Sequence, residues 1–77
     1  MELLEIASII QKNNMDEAQA IKGYSELLDL VANSEINSDD RQTIFDVVTE
    51  IIGDELNHME RLGKLYEKIS GIQAKGD

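Results

Sequence analysis

Residues 44–69 read IFDVVTEIIGDELNHMERLGKLYEKI, and the spacing of their apolar side chains decides the fold. Ile44, Val48, Ile51, Leu62, Leu65 and Ile69 fall at steps of four and three, and Glu55 and His58 occupy the two steps in the middle. That rhythm keeps side chains on one face of an α-helix and forms the seam of a helical bundle. A flanking stripe of Phe45, Ile52, Met59 and Tyr66 widens the apolar face. Upstream, Leu3, Ile6, Ile10, Asn13, Glu17, Ala20/Ile21, Tyr24, Leu27/Leu28 and Val31 trace a comparable stripe. The pattern predicts an all-α chain of two long helices.

Between the stripes lies the densest turn signal, Ala32-Asn33-Ser34-Glu35-Ile36-Asn37-Ser38-Asp39-Asp40. Asn33 suits a left-handed residue closing the first helix. Asn37 or Ser38 suits the cap of the second, with Asp39 and Asp40 facing its positive end. Gly71 suits a stop. The expected organisation is one domain over 1–77: helix 3–32, turn 33–38, helix 38–70 and a frayed tail 71–77. Asn13-Asn14 is a weak point in the first helix. One unbroken helix is the preferred reading; the alternative is a break near Asn14, with Asn14 and Glu17 as a capping box.

Composition narrows the function. The chain has 77 residues, 16 Asp+Glu against 7 Lys+Arg, a net charge of -9, one His and no Cys, Pro or Trp. Without cysteine there is no disulfide, thiolate metal site or thiol nucleophile. The acidic balance argues against nucleic acid and anionic membranes as partners. No apolar run reaches the roughly 18 residues of a membrane span, and Met1 is followed by no basic leader, so the expected location is cytoplasmic. So short a chain buries only about 60% of its unfolded surface, which points to metal or oligomerisation as extra stabilisation.

Glu17, Glu55 and His58 stand where the seam calls for apolar side chains. An unpaired carboxylate is costly to bury, so their placement needs a cause. With the turn centred near residues 35–36, Glu17 stands level with position 54, beside Glu55 and one turn from His58. Glu55 and His58, at i and i+3, share a face and can reach one ion. Carboxylates with one imidazole suit Fe or Mn. A single hairpin offers three ligands and an open apolar face. Two hairpins related by a two-fold axis pool four Glu and two His, the ligand set of a two-metal carboxylate bundle. Tyr24, two turns from Glu17, is either core filler or a hydrogen-bond donor to a metal-bound carboxylate. Gly23, Gly53 and Gly63 fall inside the predicted helices, each at a cost of about 1 kcal/mol relative to Ala.

At these residues the sequence resembles the ferritin-like superfamily, rubrerythrin and its small relatives in particular. The first-helix signature is Glu17-Ala18-Gln19-Ala20-Ile21-Lys22-Gly23-Tyr24; the second is Asp54-Glu55-Leu56-Asn57-His58 followed by Leu62. Together they cover about residues 3–70. The chain is half a bundle, for which two-helix encapsulated ferritin-like proteins are a family precedent. It lacks the four Cys of a rubredoxin-type iron site, Ala20 replaces a further Glu of some relatives, and the C-terminal Gln73-Ala74-Lys75-Gly76-Asp77 is unlike an encapsulin-targeting tail.

The resemblance implies an antiparallel helical hairpin that dimerises into a ferritin-like four-helix bundle. It implies two Fe per dimer, with Mn an alternative, held by Glu17, Glu55 and His58 of both chains, and Tyr24 nearby. The implied function is that of a non-haem di-iron carboxylate protein, a ferroxidase or a peroxidase-type oxidoreductase acting on O₂ or H₂O₂. The competing expectation is a non-catalytic structural or adaptor hairpin, in which the same residues form a buried polar cluster that fixes dimer register.

Overall fold

The computed structural model describes the backbone of residues 2–76 and the side chains of residues 2–71. Helix α1 spans Glu2–Ala32 and helix α2 spans Ser38–Gly76, and they pack as an antiparallel hairpin. The molecule measures 60 × 14 × 12 Å. Its length is that of α2 alone, since 39 residues at about 1.5 Å each come to ~59 Å. Among the described residues no helix is long and apolar enough to cross a membrane.

Helix α1 runs unbroken through Asn13 and Asn14, so the alternative start at Asn14, with Glu17 in its capping box, does not form. Packing explains the continuity. Ile10 is buried and Ile21 half-buried on either side of the Asn pair, and both belong to the stripe that faces α2. Asn14 itself turns inward, its Nδ2 4.0 Å from the Cβ position that Gly63 leaves empty, and its Oδ1 is buried without a partner.

Two expectations are corrected at the helix ends. No described residue has a positive φ, so Asn33 is not left-handed. The end of α1 closes by ordinary bonds instead: Asn33 N donates to Asp29 O and Leu30 O at 3.2 and 3.3 Å, and its Nδ2 donates to Asp29 O at 2.8 Å. Ser34 Oγ and Ser34 N both donate to Val31 O. The second correction concerns the stop at Gly71. Helix α2 continues to Gly76, so residues 71–76 are helical; Asp77, the last of the expected tail, lies outside the described residues. Gly71 has no left-handed φ to turn the chain, and Gln73, Ala74 and Lys75 favour helix. Of the two candidate caps the structure uses Asn37, whose Oδ1 accepts from Asp40 N at 2.9 Å while its Nδ2 donates to Asp40 Oδ2 at 2.8 Å. Arg41 braces the turn from behind, its Nη2 donating to Ser34 O and Ile36 O at 2.7 and 3.0 Å.

The buried core is slight. Only Ala7, Ile10, Val31 and Val48 are buried among the described residues, and Phe45, Ile52, Met59 and Tyr66 are half-buried. The accessible surface is 5855 Å², where a compact monomer of 8.6 kDa exposes about 4,700 Å². Apolar side chains contribute to the excess: nine large ones are exposed among the described residues, Leu4, Met15, Leu30 and Leu56 together with five that share a side. Ile6, Ile9 and Leu27 of α1 and Val47 and Leu65 of α2 are exposed. In helical phase these five lie on the same side of the hairpin as Glu17 and His58.

Candidate metal centre

Each helix contributes to the centre through its inward stripe. Glu17 follows Ile10 by seven residues on α1, and Glu55 follows Val48 by seven on α2, so each inherits the facing of a buried apolar residue. His58 comes one turn after Glu55 and lies further round the helix, toward the open side. The hairpin brings the three together. One carboxylate oxygen from each Glu and one imidazole nitrogen of His58 lie within 4.8 Å of one another. Glu17 and Glu55 are half-buried, and His58 is exposed.

His58 Nδ1 stands 3.9 Å from Glu17 Oε2, with side-chain exposures of 50% and 26%. That separation is too long for a hydrogen bond, and it is an ion pair only when His58 is protonated. The donors therefore converge without bonding each other. Atoms ligating one first-row divalent ion at about 2.1 Å stand at most ~4.2 Å apart, so a shift of under about 1 Å brings all three into range. Two carboxylate oxygens and an imidazole are also the chemistry such ions select. The residues fit a divalent metal.

An open groove joins the centre to the apolar face, lined by Asn13, Asp16 and Glu17 of α1 and His58, Arg61, Leu62 and Leu65 of α2. Tyr24 is half-buried further along α1, outside the groove lining and the three-ligand cluster. Sequence reasoning passed over Asp16 and Arg61, which also line the groove. Arg61 had a readable signal: its neighbours three and four residues away, Asn57, His58, Lys64 and Leu65, include no acid. An Arg so placed has no partner on its own helix.

No family model, curated protein or solved structure matches this chain.

Proposed function

We propose that two copies of the hairpin join through their open faces and that Glu17, Glu55 and His58 of both chains hold two iron ions, with manganese as the alternative. The protein on this reading is a non-haem di-iron carboxylate protein of ferritin-like type, a cytoplasmic ferroxidase or peroxide- and O₂-reducing oxidoreductase. One observation carries the reading: three donors of metal-binding chemistry converge within 4.8 Å on the side of the hairpin that also exposes Ile6, Ile9, Leu27, Val47 and Leu65. An apolar face covered by a second copy becomes dry, and charged groups persist in a dry interior when counter-charges neutralise them.

The division of labour follows from the side chains. The four carboxylates of two chains balance two divalent cations. Half-buried Glu17 and exposed His58 line the groove, and half-buried Glu55 has a carboxylate oxygen within 4.8 Å of their donor atoms. Leu62 and Leu65 line the same groove and exclude water once covered. Iron(II) held by these residues would supply the two electrons that, with two protons, take H₂O₂ to two waters. The test is the double substitution Glu55→Ala, His58→Ala, which leaves one ligand per chain. It should abolish iron(II) binding and iron-dependent O₂ or H₂O₂ consumption. A variant that loses only assembly or stability, and binds iron as the parent does, contradicts the proposal.

A further inference from the structure

The groove beside the metal-ligand cluster sets a cation and apolar surface next to a metal donor. His58, Arg61 and Leu65 follow one another at three and four residues along α2, so they are neighbours on one helix face, and Leu62 lies beside them. Asn13 of α1 adds an amide to the lining. The groove holds about 540 Å³, within the roughly 300–1,000 Å³ of small-molecule sites. Its charges are unequally answered. Asp16 is held by Lys12 at 3.1 Å, and Glu17 belongs to the metal-ligand set. Arg61 has no ion pair within the chain among the described residues. The strong acidity of the chain lies elsewhere. Residues 23–60 carry ten Asp+Glu and one base, Arg41, which is spent on turn carbonyls. Residues 2–22 and 61–76, which supply all of the groove lining except His58, carry five Asp+Glu against six Lys+Arg.

We propose that this groove binds a small organic monocarboxylate, its carboxylate on Arg61 and its hydrocarbon part on Leu62 and Leu65, beside the metal centre. The inference rests on the proposed metal centre and adds the class of molecule held next to it. A guanidinium donates two parallel hydrogen bonds to a carboxylate, and Asn13 is a further amide donor in the lining. The two leucines decide against inorganic phosphate, which gains nothing from an apolar wall and loses hydration there. An apolar molecule without the acid leaves Arg61 unanswered. Charge balance ties the ligand to the metal. Glu17 and Glu55 together balance one divalent ion in each chain, and Lys12 answers Asp16, so Arg61 is the one charge of the lining left over. Without metal, the Glu17 carboxylate stands in the same lining and repels an anion. The groove therefore takes its ligand after its metal.

Calorimetric titration of octanoate into the manganese(II)-loaded protein tests this, with acetate, inorganic phosphate and octan-1-ol as comparisons. Octanoate should bind at least about tenfold more tightly than each of the three, since acetate lacks the hydrocarbon, octan-1-ol the charge and phosphate the apolar body. Arg61→Gln should weaken octanoate about tenfold, and so should removal of the manganese. Leu65→Ala should weaken octanoate and leave acetate unchanged. Met15→Ser, at an exposed apolar residue outside the groove, should change nothing. An equal loss in Met15→Ser marks adventitious adsorption on apolar surface and overturns the inference. Phosphate or octan-1-ol as tight as octanoate overturns it, as does equal octanoate affinity with and without metal. An Arg61→Gln variant that forms a looser dimer but binds octanoate as the parent does gives Arg61 to the second copy, and overturns it too. Protein that binds manganese but no octanoate overturns the inference alone. Protein that binds neither overturns the proposed metal centre with it.

Discussion

Glu17, Glu55 and His58 are misplaced by the logic of a helix face filled with Ile, Leu and Val, and that misplacement made them legible before any coordinate. Their heights followed from the turn position and the helical repeat. What the residues could not disclose was how far the donors stand from one another, which depends on side-chain rotamers and on the local offset of two helices. Removing one ligand should be enough to weaken the centre: Glu17→Gln keeps size and hydrogen bonding but loses one charge and the carboxylate. Iron(II) affinity measured by anaerobic titration should fall at least about tenfold, with helicity by circular dichroism unchanged. The glycines offer an independent check on the fold. A Cβ at Gly53 meets nothing within 4 Å, and one at Gly63 makes only an ordinary contact with Asn14. Gly53→Ala should therefore stabilise the protein by about 1 kcal/mol through helix propensity, seen as a higher midpoint in thermal melts.

At the scale of elements, periodicity was sufficient to separate two helices because each presents an apolar stripe over its length. Their ends were harder to read. A glycine or asparagine near a helix end permits a left-handed residue without requiring one, and both Asn33 and Gly71 stay right-handed. Arg41 was invisible for another reason. It reaches back seven residues to Ser34 O and five to Ile36 O, a contact that exists only once the turn has its shape. Asn37, by contrast, was a readable cap, and Asn37→Ala should cost about 1 kcal/mol through the bond it accepts from Asp40 N. Arg41→Leu should destabilise as well, since two carbonyls of the turn lose their donor. Urea denaturation measures both, and an unchanged midpoint in either variant would contradict the account of the turn.

The whole molecule is a thin rod whose surface exceeds that of a compact monomer of its mass by roughly 1,200 Å². That excess is of the order of one partner's share in a stable interface, about 800 Å². A chain with four buried side chains among those described has little internal core to rely on. The proposed dimer supplies the missing burial, and its metal ties the halves. Two consequences follow at this scale. The melting midpoint should rise with protein concentration, as for any folded species that dissociates when it unfolds. It should also rise with bound iron(II), by about 2.7 kcal/mol in stability at a hundredfold excess over the dissociation constant, an increment that chelation removes.

The central claim is that acidic and imidazole side chains of two chains share a pair of cations. Anaerobic iron(II) titration followed by native mass spectrometry tests it most directly. The account predicts a species of two chains and two irons, absent from the Glu55→Ala, His58→Ala variant. Iron-free chains at saturating iron(II), or equal iron uptake by parent and variant, would contradict it.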